Sequence, residues 1–488
     1  RCYQQSSGLT PQLIVQGEEG VYRDILIIDE DNDALFASVW DTTLSGVTSN
    51  DQVRLPFIPS GNYDVLVNWG DGTKSTINSS FTLADITHTY DSPGQYRIVI
   101  GGVIEGFNFN EANGGDRNKI IDIIQWGNIS LGNDGNYFRD TQNLLTISAK
   151  DAPDLTGTTD LSNMFSNSGI VSANFNAWNT SSVTDMDSMF SSANNFNGRI
   201  SNWDTSNVED MAGMFNRAFS FNQPLNNWNT SSVRYMNAMF YRTYSFNQPL
   251  NNWNTNNVTN MNSMFFVSLS FNQNLSNWDT SRVTNMADMF EGVSDFNGNI
   301  STWDTSSVTT MYQMFRGADS FNQSLNNWDT SSVTNMAGMF DDASSFNQPL
   351  NNWNTSNVES MYRMFFVANS FNQNLSSWDT SSVTDMSEMF ESADNFNGNI
   401  STWDTSNVEN MANMFDAADS FNQPLNNWDT SSVTDMYEMF YTADIFNQPL
   451  NNWDTSSVTD MSRMFSVSLS FNQNLSSWDT SSVTDMSE

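Results

Sequence analysis

Asn202-Trp203-Asp204-Thr205-Ser206-Asn207-Val208-Glu209-Asp210-Met211-Ala212-Gly213-Met214-Phe215-Asn216-Arg217-Ala218-Phe219-Ser220-Phe221 is one copy of the repeat that decides how this chain folds. Tryptophan returns at 178, 203, 228, 253, 278, 303 and on to 478, always 25 residues apart, which accounts for 13 of the 16 tryptophans. Thr stands two residues after each of them and Val five after. All 26 methionines lie from Met164 onward, mostly as pairs three apart followed by Phe, as in Met186, Met189, Phe190 and Met211, Met214, Phe215. A period this strict marks a repeat architecture, in which one unit is too small to bury its apolar side chains and stacked neighbours do so together. A 100-residue period lies over the first: Phe-Asn-Gly recurs at Phe196, Phe296 and Phe396, and residues 365–388 differ from 465–488 at three positions.

Within one unit, Trp203-Asp204-Thr205 reads as a short strand with Trp and Thr on one side and Asp on the other. Asn207 followed by an acid three residues later reads as a helix cap. Val208, Met211, Met214 and Ala218 then fall at helical spacing. The expectation is an α/β repeat solenoid of 25-residue coils, each a short strand plus a short helix, over residues 161–488. Leu225-x-x-Trp228-x-Thr230 stands where a leucine-rich repeat has its Leu-x-x-Leu-x-Leu, so the coils are expected to be similar to leucine-rich repeats. Trp, Met and Phe would each stack on their own kind, sheltering methionine from oxidation. At one strand spacing per coil, thirteen coils would span about 60 Å. The repeat breaks off at Met486-Ser487-Glu488, where Met-Phe is due next, and the natural polypeptide is expected to continue past 488.

Composition narrows the function. The 488 residues carry 55 acids against 17 Lys and Arg, a net charge of −38. No nucleic-acid partner is expected on charge grounds, since binding it needs a basic surface to release counterions. The same charge opposes adhesion to anionic lipid. High net charge alone would suggest disorder, but 16 Trp and 35 Phe supply ample core. A single cysteine, Cys2, and a single histidine, His88, exclude most catalytic and metal constellations by count. No apolar run approaches the ~20 residues of a membrane helix. The longest contains Ile25–Ile28, so no membrane insertion is expected in this segment. Arg1 before Cys2 does not suit a lipoprotein cleavage site.

Ahead of the array, residues 1–35 read as a tail with one strand at Ile25–Ile28. Asp29, Asp31 and Asp33 alternate like half of a calcium loop, but the loop glycine and distal Glu are missing. A solvated acidic turn is the preferred reading. Residues 36–105 alternate as an antiparallel sheet, with Val65-Leu66-Val67-Asn68-Trp69 leading into a Gly70-Asp71-Gly72 hairpin turn. Residues 106–160 read as degenerate coils forming an N-terminal cap, with Trp126 and Ile147 as strand anchors. Leu161, Met164 and Phe165 already occupy repeat positions.

Two resemblances attach to these residues. Trp69-Gly70-Asp71-Gly72 followed by His88-x-Tyr90-x-x-x-Gly94-x-Tyr96 resembles a PKD-type immunoglobulin-like domain, although the Phe that often follows Trp is missing. The array, with Val-Thr-Asp-Met-x-x-Met-Phe and Phe-Asn-x-x-Leu-x-x-Trp-Asp-Thr-Ser, resembles BspA-like leucine-rich-repeat surface proteins. Together they imply a PKD-like β-sandwich at 36–105 before the solenoid. They also imply a secreted or surface-displayed protein used in adhesion or surface structure. The resemblance carries no catalytic residues, and no enzyme is expected.

The implied partners are a host or neighbouring-cell surface protein or glycan, or further copies in a surface assembly. A virion fibre anchored by its N-terminal region and a glycan-binding module are the alternatives. The second would need aromatics exposed on one face, whereas the Trp ladder is expected to be buried.

The candidate ligand or cation face is the position after each Trp: Asp204, Asp279, Asp304, Asp329, Asp379, Asp404, Asp429, Asp454 and Asp479, with Asn at 179, 229, 254 and 354. Like charges one strand spacing apart need screening, cations or hydrogen bonds. Two readings stand: weak distributed Ca²⁺ binding, or carboxylates spent on Ser/Thr hydroxyls and backbone N–H groups at a turn. The second is preferred, and no cofactor is otherwise expected. The Asn ladder after Phe, Asn197 to Asn472, reads as loop hydrogen bonding, and His88 as a packed strand residue. The Asn-Leu/Ile-Ser sequons at Asn274, Asn299, Asn374, Asn399 and Asn474 are expected by chance in a chain so rich in Asn and Ser. Departures from the repeat at Arg199, Arg234-Tyr235 and Tyr241-Arg242-Thr243-Tyr244 read as surface variation.

Overall fold

The structure is a computed structural model that describes residues 32–109 and 114–487. Asp29, Asp31, Cys2 and the strand expected at Ile25–Ile28 lie outside the described residues. The chain divides into two compact units. The first runs to Leu131 and takes in Ser148–Asp154; the second comprises Gly132–Ile147 and Leu155 onward.

In the first unit, alternation of period two does what the sequence led us to expect. β1 (Phe36–Asp41), β2 (Gln52–Arg54), β3 (Phe57–Asn68), β4 (Lys74–Asn78), β5 (Thr87–Thr89), β6 (Gln95–Phe107) and β7 (Ile120–Gln125) form two antiparallel sheets. Their orders are β4-β3-β6-β1-β7 and β2-β5. Tyr63, Val65 and Val67 of β3 point into the core, while Asp64, Leu66 and Asn68 lie at least partly open. The β3–β4 hairpin turns at Gly70-Asp71-Gly72. Gly70 has φ +86°, and a Cβ there would meet the Arg97 carbonyl oxygen at 2.5 Å, so only glycine fits. β7 joins this sheet beside β1, so the stretch 106–160 is shared between the two units rather than forming one of them.

The second unit corrects the expected α/β coil. No α-helix is present among the described residues, and the only helical element is a single 3₁₀ turn at Phe175–Ala177. Trp203-Asp204-Thr205 is not a strand either. Each coil instead contributes one parallel bridge residue seven positions after its Trp: Asp185 to Asp210, Asp210 to Tyr235, Tyr235 to Asn260, and so on to Asp485.

The segment expected to be helical is a run of turns whose N–H groups alternate in direction. Met211, Gly213, Phe215 and Arg217 donate to Tyr235, Asn237, Met239 and Tyr241 of the next coil at 2.7–3.1 Å. Met214, Asn216 and Ala218 donate three residues back, to Met211, Gly213 and Phe215. An α-helix would send each N–H four residues back along its own chain. The backbone forbids it here, because the residues 10 and 14 positions after each Trp from Trp178 to Trp453 are left-handed: Ser188 at φ 54° and Ser192 at 59°, Gly213 at 58° and Arg217 at 59°. The spacing of Val208, Met211, Met214 and Ala218 suits a helix and a chain of tight turns equally.

The core is made of ladders. Trp rings of adjacent coils lie 6.1–6.4 Å apart and almost parallel, as for Trp203–Trp228 and Trp403–Trp428. Phe190, Phe215, Phe240 and Phe265 form a second stack at 5.5–5.9 Å. The paired methionines fill the remaining space without exposure from Met186 to Met439. From Trp203 on, each Trp is held in register by its polar end: Trp228 Nε1 donates to the Ile200 carbonyl (3.1 Å) and Trp253 Nε1 to that of Leu225 (3.0 Å). The buried Thr two residues after each Trp, from Thr180 to Thr455, donates its hydroxyl to a carbonyl of the next coil, Thr205 to Asn229 at 2.9 Å. Buried polar atoms are thereby satisfied between coils, which fixes the 25-residue register as firmly as apolar stacking does.

Candidate functional site

The residues singled out in the N-terminal unit come together. The Trp69 ring stacks on His88 at 4.7 Å, and Tyr90 meets His88 edge-on at 4.5 Å and stacks on Tyr96. His88 Nε2 lies 2.7 Å from an Asp71 carboxylate oxygen. The Tyr90 hydroxyl donates to the Trp69 carbonyl, and the Gly94 N–H to Thr42 Oγ1. Partial burial pushes the Asp71 carboxyl up, but hydrogen bonds from Thr73 and His88 outweigh it and hold it down at about 2. Burial pushes the Tyr90 phenol up. Every polar group in this knot is spent on a neighbour, so the cluster locks the hairpin to β5 and β6.

In the array, Asp204, Asp279, Asp304, Asp329, Asp379, Asp404, Asp429, Asp454 and Asp479 are all exposed, as expected, but on a turn rather than a strand. Each accepts the N–H of the residue two further on; Asp204 takes the Ser206 N–H at 3.0 Å and its hydroxyl at 2.7 Å. Asn179, Asn229, Asn254 and Asn354 do the same with their amide oxygen. At Asp204, Asp279, Asp329 and Asp379 the Ser hydroxyl, then its backbone N–H, hold the carboxyl below the usual range. The column therefore caps turns, and Asn serves as well as Asp because only one oxygen is used. Among the described residues, no group of three or more His, Cys, Asp or Glu side chains is placed to hold a metal ion. Asp33 is exposed. Trp178, Trp203, Trp228, Trp253, Trp278 and Trp303 are buried and offer no face to a ligand. The Asn ladder joins coils: Asn197 Oδ1 accepts both the Asn222 N–H and the Gln223 amide.

Charge is unevenly spread along the array. From Arg199 to Arg282 there are five arginines and four acids, whereas from Val283 to Glu488 three arginines face 27 acids. Those three each bridge coils. Arg316 reaches Glu291 and Asp341, Arg363 reaches Asp341 and Glu388, and Arg463 pairs with Glu438. Nearby acids are crowded. Burial first, and then Asp288, raises Glu291 to about 7; burial with Glu388 and Asp416 raises Glu391 to about 7. Burial first also raises Asp187 and Asp416 to about 6, with Asp210 and Glu438 adding to it.

The basic stretch differs in shape as well. An open cleft of about 380 Å³ is lined by Glu209, Ser231, Ser232, Arg234, Asn257, Thr259 and Arg282. Beside the repeat's regular faces, Tyr241 stacks on Phe266 and Phe219 on Tyr244, with the Arg242 guanidinium over Tyr241 and Phe266. Arg234 was singled out from the sequence, but Arg282 and Glu209 were not. The signal was there: Arg282 is the one basic residue in a column otherwise Ser or Asn, and Arg234 the one in a column otherwise Thr or Glu.

These features define a repeat protein of stacked 25-residue turn-and-bridge coils whose periodic polar residues mostly serve the stack. The profile of the family described as "Mycoplasma protein of unknown function, DUF285" matches residues 159–278, 265–378, 360–466 and 423–488. The chain belongs to that family. A search of curated proteins returns no significant match.

Proposed function

We propose that the chain is a non-catalytic extracellular surface protein. Its coil array is a scaffold that carries polar residues at a fixed repeat for adhesion or for assembly of a surface structure. The finer kinship, with BspA-like surface proteins and of the 69–96 motif with PKD-type domains, belongs to this proposal and is supported by the motifs quoted above. The observation that carries it is the repetition of one exposed turn, Asp or Asn capping the residue two further on, in coil after coil. A display scaffold gains from many turns alike, whereas an enzyme gains nothing from repeating one capped carboxylate. The acidic excess suits a saline exterior and opposes non-specific association.

The test is location on intact producing cells or particles. Antibody raised against residues 151–488 should label them without permeabilisation, and external protease should remove the label. Label that appears only after permeabilisation refutes the reading.

A further inference from the structure

The cleft between Arg234 and Arg282 is the place where the array departs from its own repeat in sequence, charge and shape together. Its residues come from four successive coils: Glu209, then Ser231, Ser232 and Arg234, then Asn257 and Thr259, then Arg282. The two arginines stand two coils apart, about 10 Å along the stack at one strand spacing per coil. Both are exposed. Arg234 lies 3.6 Å from Glu209 in a pair whose side chains are both more than half exposed, so the contact is weak and opens readily. Arg282 donates to the Asn257 amide oxygen at 2.9 Å through one of its guanidinium nitrogens. Elsewhere in these two columns Ser, Asn and Thr close onto carbonyls of the preceding coil, as Ser307 does on Ser281 and Thr309 on Thr284. An arginine is not needed for that task.

We infer that this cleft binds an anionic saccharide, one bearing a carboxylate or sulfate together with free hydroxyls. A guanidinium presents parallel N–H donors that match a carboxylate or sulfate. Two of them, with a carboxylate and hydroxyl- and amide-bearing side chains between, ask for a ligand that carries both an anion and neutral hydroxyl donors. Glu209 accepts from a sugar hydroxyl but repels a uniformly acidic peptide. The lining has no apolar pocket to hold peptide side chains, and its length suits two linked rings. The local balance of five arginines to four acids lets an anion approach here, whereas the segment beyond Val283 repels one. The inference deepens the surface reading by naming a ligand class, and rests on that reading only for where the ligand is met.

The test is calorimetric titration of the purified full chain with a hyaluronan hexasaccharide (carboxylates only), a heparin hexasaccharide (sulfates as well), neutral dextran and poly-glutamate. The key variant is Arg234→Thr with Arg282→Ser, which restores the residue most common in each column and should melt with the wild type. Arg199→Asn, outside the cleft, is the control. Binding of at least one anionic saccharide, weakened about tenfold or more in the double variant and unchanged in the control, is expected. The binding should also weaken with added salt. Whichever saccharide binds fixes whether carboxylate suffices. Absence of anionic saccharide binding, or equal binding by the double variant, overturns the assignment. So does poly-glutamate binding with the same arginine dependence. Failure here leaves the surface-labelling result standing, and an internal location leaves the titration standing.

Discussion

Replacing Trp378 tests how the array is held together. This ring is 3 % exposed and stacks on Trp353 and Trp403, each at 6.2 Å. Its Nε1 donates to the buried Leu350 carbonyl at 3.0 Å. Truncation to Ala removes a large side chain from a close-packed interior, at about 3–5 kcal/mol. It also leaves the Leu350 carbonyl without its partner, worth about 1–3 kcal/mol. Trp378→Ala should therefore cost about 4–8 kcal/mol at the interfaces on either side of its coil. Trp378→Phe keeps a stacked ring and loses the donor, and should cost about 1–3 kcal/mol.

Coils contact only their neighbours, so a weak coil also divides the array into parts that unfold separately. The assay is urea denaturation of the full chain followed by intrinsic fluorescence and circular dichroism. The wild-type array transition should split in Trp378→Ala, with one part lost at lower urea. Asp379→Asn, which keeps one capping oxygen at an exposed turn, should shift the curve by less than ~0.5 kcal/mol. A Trp378→Ala curve within 1 kcal/mol of wild type would refute the reasoning, because it would mean the ring is neither stacked nor holding the carbonyl.

Three further outcomes follow from the same geometry. Val367 is β-branched with φ 54°; Val367→Gly should stabilise the array by about 1 kcal/mol, read as a raised melting temperature. Asn297 Oδ1 accepts the Asn322 N–H and the Gln323 amide; Asn297→Ala should cost about 1 kcal/mol in urea titration, since both donors can turn to water. The pH profile should fall on both sides of a maximum, with the loss above it opposite in sense to ordinary acid denaturation. Glu291, Glu391, Asp187 and Asp416 bind their proton more tightly folded than unfolded, so their contribution is present at low pH and lost as pH rises through 6 to 7. The turn-capping Asp204, Asp279, Asp329 and Asp379 are shifted down, so theirs is lost as pH falls below the ordinary Asp range. The melting temperature should peak near pH ~4, and Glu391→Gln should raise it at pH 8 but not at pH 4.

Much of the layout was legible because some residues have one plausible use. A Trp every 25 residues has to be stacked and buried, and Thr two positions later has to find a buried acceptor. β-alternation in 36–105 likewise gave antiparallel strands, and Trp69, Asp71, His88, Tyr90 and Tyr96 meet as a packed group. The helix was misread because spacing of three and four does not separate an α-helix from successive tight turns. The missed clue was glycine: it stands at 213 and 338 in one left-handed column and at 292 and 317 in the other. Neither column suits a helix interior, where glycine is costly. The strand was misplaced because alternation over three residues is too short to specify one. The turn-capping use of the Asp ladder followed from the repulsion of like charges one coil apart beside Ser and Thr hydroxyls, but the cleft did not follow. Arg234 and Arg282 are 48 residues apart in sequence, and only the stacking of coils brings them to one opening.

The central claim is that the array consists of stacked turn-and-bridge coils with no α-helix. Amide I infrared absorption of the purified full chain tests it directly and is little affected by the many tryptophans that distort far-ultraviolet dichroism. The account predicts β and turn bands without an α-helical component. A helical band large enough for a short helix in each of the thirteen coils would contradict it.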